Sequence, residues 1–340
     1  MSQHAPSDPP PRVVGIGASA GGVDALVRLV RHLPAGLPAA VCVVLHVPAT
    51  GRSLLAPILG RNTDLPVDVA EHDAPLEAGR IYVAPPDRHL TLAAGRLRLD
   101  RGPKENAARP AVDPLLRSLA AEYGERAGAV ILSGALGDGS GGALAIHEAG
   151  GTVIVQDPAE ATVPSMPESA LRAVGPAAAS LALDAIGGRL AAIVRARPEM
   201  RDDVVMPPPG DLVPGAPGRP DGPPSTLTCP ECHGPLWELD AGPLKRYQCR
   251  VGHAYSEEAL VVEQGSAVET ALWSALEALE ERAEFLGRLS ARYGEQTPRL
   301  RERHRRAARD ALGRAELIRR ALGARGEDAH ALDLQAGAET

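Results

Sequence analysis

Short apolar runs alternate with segments of helical periodicity between Arg12 and about residue 197, and this alternation limits the possible folds more than any other feature. The runs at Ala40–Leu45 and Gly128–Ser133 are almost continuously apolar. Such runs are typical of strands that are buried on both faces of a parallel sheet. Helices between parallel strands cover the two faces of the sheet. The sequence therefore predicts an α/β domain with a mostly parallel sheet flanked by helices.

The first apolar run enters a turn of small residues around Ser19, and a helix is predicted from about residue 22 to residue 32. Three interpretations compete for this turn. The Gly15–Ala20 segment resembles a dinucleotide-binding turn, but the second strand ends in His46, where that fold needs an acid for the ribose. The Gly17–Gly21 segment resembles the nucleophile elbow of α/β-hydrolases, which order their triad as serine, acid and histidine. In the third interpretation, the serine only caps the helix.

Three polar residues, Ser19, His46 and Asp138, each follow a predicted central strand. Ligand sites of parallel sheets lie at the carboxyl ends of the strands, so the topology places all three residues at one edge. Serine, histidine and aspartate supply the nucleophile, the base and the orienting acid of acyl transfer. We predict that Ser19 attacks the substrate, His46 takes its proton, and Asp138 holds the imidazole in the required tautomer.

Six segments add a family resemblance to this prediction. They are Gly17–Gly22, Val44–Pro48, Ile81–His89, Arg109–Asp113, Leu132–Gly139 and Gln156–Pro167. In this order they resemble the catalytic domain of the bacterial chemotaxis methylesterase, the CheB type of protein-glutamate methylesterase, from residue 12 to about residue 195. The resemblance implies a doubly wound parallel sheet and a triad of Ser19, His46 and Asp138 that needs no cofactor. It also implies an oxyanion site formed by the backbone N–H groups of His46 and Ala135.

The resemblance implies a reaction and a substrate as well. The family hydrolyses glutamate γ-methyl esters on chemoreceptors, with glutamine deamidation as a second activity. Three positions depart from the usual pattern, at Ala20, Ala135 and Gly137. The differences around Ala20 and Ala135 would permit an esterase or amidase of the same mechanism that acts on another substrate. A further alternative is a non-catalytic signalling scaffold, which the intact triad disfavours. Only a short polar segment precedes the first strand, so we expect a form without an N-terminal receiver domain.

Two pairs of candidate metal ligands follow a segment rich in Pro and Gly, which we interpret as a linker over residues 198–226. The pairs are Cys229 with Cys232 and Cys249 with His253, and a hairpin-length insert separates them. This spacing is typical of tetrahedral zinc, so we predict a small zinc-ribbon-like module with a structural zinc ion. His233 is an alternative fourth ligand. The competing interpretation is a β-hairpin that carries reduced thiols.

Apolar residues recur at steps of three and four beyond the metal module, with a break at residues 294–298. This pattern predicts a helical hairpin or a helical pair that dimerises, and we hypothesise that it docks a partner or the substrate protein. The predicted organisation is a disordered N-terminus at 1–11, a catalytic domain at 12–197, a linker at 198–226, a zinc-binding module at 227–262, a helical hairpin at 263–325 and a tail at 326–340.

Charge and hydropathy exclude several classes of protein. The formal net charge of −7 disfavours a general nucleic-acid binder. No apolar run reaches the roughly 18 residues that a membrane-spanning helix needs. The first eleven residues lack the layout of a signal peptide, and three of the four cysteines are clustered as candidate metal ligands. We therefore expect a reduced cytoplasmic protein.

Overall fold

We describe the protein from a computed structural model that covers residues 12–51, 53–196, 218–293 and 297–336. The predicted disordered N-terminus at 1–11 lies outside the described residues, as do residues 198–217 of the predicted linker and residues 337–340 of the predicted tail. The described chain divides into two compact units, with the boundary between Val261 and Val262.

The first unit begins with alternating strands and helices. The strands are β1 (Val13–Ala18), β2 (Ala40–Leu45), β3 (Val67–Val69), β4 (Ile81–Val83), β5 (His89–Ala93), β6 (Arg96–Asp100), β7 (Ala127–Ile131), β8 (Thr152–Gln156) and β9 (Ala179–Leu181). The helices are α1 (Gly22–Arg31), α2 (Leu55–Gly60), α3 (Val112–Tyr123), α4 (Ser140–Glu148), α5 (Ser165–Val174) and α6 (Leu183–Arg195). Single 3₁₀ turns lie at Gly124–Arg126 and Gly175–Ala177.

Seven of these strands form one parallel sheet in the order β3-β4-β2-β1-β7-β8-β9. The chain builds outward from β1 through β2, then returns to the other side of β1 with β7. This reversal makes the sheet doubly wound and confirms the predicted fold class. In such a sheet the ligand site lies at the carboxyl ends of the strands where the order reverses. Here those strands are β1 and its two neighbours, β2 and β7.

Alternate residues of the central strands enter two separate apolar layers. In β2, Ala40, Cys42 and Val44 face the layer that contains α3, α4 and α5. Val41, Val43 and Leu45 face the layer that contains α1, α2 and α6. Both faces of the sheet are therefore covered, which explains the continuous hydrophobicity of the strand.

Two glycines of β1 lie directly beneath α3. A Cβ atom added to Gly15 would lie 2.5 Å from Leu116 Cδ2, and one added to Gly17 would lie 2.4 Å from Val112 Cγ1. Only a residue without a side chain allows the helix to approach the strand this closely. The glycine pattern that resembles a dinucleotide-binding turn therefore has a packing role in this fold.

A four-stranded antiparallel sheet follows in the same unit. Its strands are β10 (Pro224–Thr228), β11 (Pro235–Ala241), β12 (Leu244–Cys249) and β13 (Ala254–Ser256), paired in chain order. β10 begins at Pro224, so the last three residues of the segment 198–226 that was predicted as a linker belong to a strand. A small apolar cluster that includes Leu236, Tyr255 and Leu260 packs against Leu136, in the loop between β7 and α4.

Two long helices complete the chain, α7 (Glu257–Arg292) and α8 (Pro298–Ala336). Ser290 Oγ donates a hydrogen bond to Arg301 O over 3.1 Å, and the rings of Tyr293 and His304 stack at 5.4 Å. Glu280, earlier in α7, pairs with Arg319, later in α8. Residues that lie further back in α7 therefore contact residues that lie further forward in α8, as in an antiparallel hairpin. The backbone of α8 continues as far as residue 336, through the start of the predicted tail at 326–340. Within the described residues, none of the helices is both long and apolar enough to cross a membrane.

Candidate active site

The turn that carries Ser19 is fixed by the segment after β7. Ser19 is half-buried at the carboxyl end of β1, and its N–H donates to Ser133 O over 3.0 Å. The Ser133 hydroxyl donates to Ala20 O over 2.8 Å and accepts from the Val163 N–H over 3.0 Å. Gly21 has a φ of +73°, in the left-handed region that glycine adopts freely. These constraints hold Ser19 in place at the start of α1.

His46 and Asp138 are in direct contact. His46 follows β2, and its Nε2 lies 2.7 Å from Asp138 Oδ2. Asp138 is buried just before α4, whereas His46 is half-buried at the edge of the sheet. Because Asp138 occupies Nε2, Nδ1 is the ring nitrogen left for proton transfer. Ser19 directly follows β1, the strand that lies between β2 and β7, so the fold brings all three predicted residues to one edge.

Four hydrogen bonds converge on the Asp138 carboxylate. Besides His46, the N–H groups of Val112 and Asp113 donate to it over 2.6 and 3.2 Å, and Asn106 Nδ2 donates over 3.1 Å. Burial alone would raise the pKa of Asp138, but the hydrogen bonds and the charge of His46 outweigh it and lower the pKa to about 2. Asp138 therefore stays ionised, as a residue that orients an imidazole must.

Asp113 is a second buried carboxyl group beside this site. Its Oδ1 accepts the N–H of Gly142 over 2.7 Å, and its Oδ2 lies 3.9 Å from Arg117 NH1. Burial and the neighbouring charge of Asp138 raise the pKa of Asp113 to about 6. The two adjacent carboxyl groups thus have pKa values displaced in opposite directions.

The loop between β7 and α4 packs tightly against the serine. A Cβ atom added to Gly134 would lie 2.9 Å from Ser19 Cβ and 2.0 Å from Met166 Sδ. Glycine is therefore required where this loop passes Ser19. The next residue, Ala135, is exposed, and its N–H has no acceptor within the part of the chain that the structure describes.

The other predicted oxyanion donor, the N–H of His46, is engaged in the structure. It donates to Ala18 O over 3.2 Å, which extends the pairing of β1 and β2 by one residue. This bond is at the long end of the usual N–H to O range. His46 would have to share or release it to bind an oxyanion, whereas Ala135 would not.

The four predicted metal ligands form one cluster. The candidate ligand atoms of Cys229, Cys232, Cys249 and His253 all lie within 4.8 Å of one another. His253 Nδ1 is 3.7 Å from Cys229 Sγ and 3.6 Å from Cys249 Sγ, and the Sγ atoms of Cys232 and Cys249 are 3.6 Å apart. Tetrahedral metal–sulfur bonds of about 2.3 Å place neighbouring ligand atoms about 3.7 Å apart, so the cluster fits zinc. His233, the alternative ligand, is not part of it.

Three residues that hold the site were not predicted from the sequence as site residues. Ser133 fixes the Ser19 turn, Asp113 lies beside Asp138, and Asn106 donates to Asp138. Ser133 and Asp113 belong to motifs that carry the family resemblance, which was the only signal available for them. Asn106 lies three residues before Arg109, outside every motif.

Comparisons with known proteins show which family the first domain belongs to. The sequence model of the family described as CheB methylesterase matches residues 14–190. The protein-glutamate methylesterase/protein-glutamine glutaminase 1 of Paramagnetospirillum magneticum is 40% identical over 169 residues, which are 48% of this chain and 44% of the relative. The protein-glutamate methylesterase/protein-glutamine glutaminase 3 of Anaeromyxobacter dehalogenans is 44% identical over 193 residues, which are 56% of this chain and 56% of the relative.

A solved structure is similar to the catalytic domain. The crystal structure of the Thermotoga maritima CheB methylesterase catalytic domain matches with a TM-score of 0.51 and 34% sequence identity. The match covers 54% of this chain and 98% of that one. The chain spans about half the length of the curated relatives.

Proposed function

This chain belongs to the CheB methylesterase family, and on that premise we propose that it is a serine hydrolase that removes methyl esters from glutamate side chains of chemoreceptors. The observation that carries the proposal is the 2.7 Å pair of His46 and Asp138 next to the Ser19 turn. The names of the relatives, which include a glutaminase activity, support glutamine deamidation as a second reaction.

Acylation begins with Ser19. Its Oγ attacks the ester carbonyl carbon while its proton passes to His46 Nδ1, and the imidazolium is stabilised by Asp138 through Nε2. The carbonyl oxygen becomes an oxyanion that the N–H of Ala135 stabilises, with His46 N–H as a second donor once it leaves Ala18. One such donor contributes about 3 kcal/mol of barrier lowering.

Collapse of the tetrahedral intermediate breaks the ester C–O bond. His46 returns its proton to the departing methoxide, which leaves as methanol, and the glutamyl group stays on Ser19 Oγ. Water then attacks the acyl-enzyme with His46 as the base, and the products are the glutamate carboxylate and free Ser19. With a glutamine substrate, the same steps release ammonia instead of methanol.

A second candidate function uses the same mechanism on another protein or a small ester. Both Ala20 and Ala135 are small and exposed beside Ser19, so substrates of a different shape fit there. The third alternative, a non-catalytic scaffold, has no need of four hydrogen bonds on one buried carboxylate. The tight His46–Asp138 contact therefore favours the two enzymatic functions.

Methanol release from a methyl-esterified chemoreceptor signalling domain tests the proposed substrate. We expect release by the full chain, and a loss of at least about 10³-fold in Ser19→Ala because the nucleophile is absent. A panel of small methyl and p-nitrophenyl esters is measured in parallel. Hydrolysis of that panel without methanol release from the receptor domain would favour the second candidate, and no hydrolysis of either would favour the scaffold.

We also propose that Cys229, Cys232, Cys249 and His253 hold one structural zinc ion. All four cysteines of the chain are free thiols in the structure, which suits a reducing compartment such as the cytoplasm. When bound, zinc would cross-link the turns of a module too small to fold on its own core. A partner for the C-terminal helices stays a prediction.

Metal analysis of the purified full chain tests the zinc site. We expect one equivalent of zinc per chain, and its loss in Cys249→Ser because one of four ligands is missing. His233→Ala is the matched control and should keep the metal. Equal zinc content in wild type and Cys249→Ser would contradict the ligand set.

A further inference from the structure

One side chain connects the catalytic acid to the metal module. Asn106 is buried, and its Nδ2 donates to Asp138 Oδ1 over 3.1 Å. Its Oδ1 accepts the N–H of Ser256, in β13, over 2.8 Å. The amide nitrogen of Asn106 therefore contacts Asp138, and the amide oxygen of the same side chain contacts the metal module.

The backbone around Asn106 is held by the same strand. The Asn106 N–H donates to Ala254 O over 2.8 Å, and the Ala254 N–H donates to Lys104 O over 3.3 Å. Asn106 and Ala107 have φ values of +49° and +62°, in the left-handed region that alanine rarely adopts. Because local preference does not favour this conformation, the contacts with β13 are what fix the loop.

A buried ion cluster strengthens this junction. Glu105 lies 2.7 Å from Arg117 of α3 and also pairs with Arg246 of β12. Burial opposes the charge of Glu105, but the two guanidinium groups outweigh that cost and lower its pKa. One of the two cations is supplied by the metal module, so undocking of the module would leave the carboxylate poorly compensated.

The metal cluster lies next to these contacts along the chain. His253 directly precedes Ala254, and its carbonyl oxygen accepts the Cys249 N–H over 3.0 Å. A metal ion that joins His253 and Cys249 would fix the start of β13. The position of β13 in turn sets the position of Asn106.

We propose that Asn106 is a positioning residue for the catalytic aspartate and that the metal-loaded module holds it in place. The module is then a working part of the active site, in addition to any role in docking. This inference rests on the proposed function only in taking Asp138 as the triad acid.

The first test compares full-length variants by the rate at which a fluorophosphonate labels Ser19. We expect Asn106→Ala to lower the maximal labelling rate about tenfold or more, with the half-saturating probe concentration unchanged, because the triad is misaligned while the binding surface is intact. Asn106→Asp has the same shape but places a carboxylate against Asp138, and should also be slow. Asn62→Ala is the matched control, because Asn62 hydrogen-bonds to Arg31 and Ile58 and to no triad residue.

The second test removes the metal and restores it. We expect dialysis against a chelator under reducing conditions to slow labelling of the wild type to about the level of Asn106→Ala, and added zinc to restore it. In Asn106→Ala the same treatment should have less than about a twofold further effect, because both changes act through one contact. Hydrogen exchange measured on the unlabelled protein should show lost protection of the Asn106, Ala254 and Ser256 amides in the metal-free state.

Failure of the positioning role of Asn106 and failure of the proposed catalysis give different results in these tests. If the wild type is labelled at Ser19 and Asn106→Ala is labelled equally fast, the positioning role is wrong. If chelation slows wild type and Asn106→Ala by the same factor, the module does not act through Asn106. If the wild type is not labelled but exchange at the three amides still depends on zinc, the proposed catalysis fails while the metal-dependent junction stands.

Discussion

At the scale of single residues, two buried carboxyl groups in contact with the same asparagine have opposite protonation behaviour. Asp138 receives donors from an imidazole, two backbone amides and Asn106, and its pKa falls to about 2. Asp113 is equally buried but faces the charge of Asp138, and its pKa rises to about 6. Near neutral pH, Asp138 keeps the charge that the triad needs, and Asp113 is the group that takes up a proton first on acidification.

The raised pKa of Asp113 predicts a pH dependence of stability. A carboxyl group whose folded pKa is raised from 3.8 to about 6 stabilises the fold fully below pH 4, and this contribution is lost as the pH rises through 6. Between pH 7 and pH 5 the wild type should gain about 1 kcal/mol in the free energy of unfolding relative to Asp113→Asn. Urea unfolding of both proteins at the two pH values measures this difference, and parallel pH profiles would contradict it.

The three proposed catalytic residues could be found from the sequence because each follows a strand with a strong apolar pattern. Ser133 and Asn106 could not be found in this way. Their importance depends on hydrogen bonds to residues far away along the chain, such as Val163 and Ser256. A polar residue in a loop carries no local signal for such contacts.

At the scale of secondary structure, the close approach of α3 to β1 and α4 is set by glycines. Gly142 of α4 faces α3, and a Cβ atom added there would lie 2.5 Å from Leu116 Cβ. Leu116 Cβ is bonded directly to the backbone of α3, so α3 or α4 would have to move to make room for the added atom. Because the start of α3 donates two hydrogen bonds to Asp138, this packing also positions the triad.

A pair of glycine substitutions tests this packing. Gly142→Ala should destabilise the protein by about 1–3 kcal/mol through overpacking. Gly188→Ala lies in α6, where an added Cβ would meet nothing within 4 Å, and should stabilise it by about 0.5–1 kcal/mol through helix propensity. Thermal and urea unfolding of both variants measure the two effects, and a neutral Gly142→Ala would show that the helices can separate without cost.

Elements with a strong apolar pattern were predicted from the sequence, whereas one strand and one helix were missed. β2 has the bounds of the apolar run at Ala40–Leu45, and α1 ends within one residue of the helix expected at about 22–32. The three-residue strand β9 at Ala179–Leu181 and helix α5 at Ser165–Val174 were missed. β9 is too short to show a period, and its place in the sheet comes from pairing with β8.

At the scale of the whole molecule, the sequence predicts a linker between the α/β domain and the module with the candidate metal ligands. The structure places both in one compact unit, joined through Asn106, the Glu105 ion cluster and the apolar contact of Leu136. Composition identifies a segment that is poor in apolar residues, but it carries no information on whether the elements at its two ends pack together. Docking depends on complementary groups that are far apart in sequence.

The central claim is that Ser19 is the nucleophile of a triad completed by His46 and Asp138. Peptide mass spectrometry of the full chain after reaction with a fluorophosphonate tests it most directly. We expect one phosphonyl group per chain, located on Ser19, none in Ser19→Ala, and labelling slowed by about 10²-fold or more in His46→Ala and Asp138→Asn. A folded wild-type protein that is not labelled, or that is labelled on another serine, would contradict it.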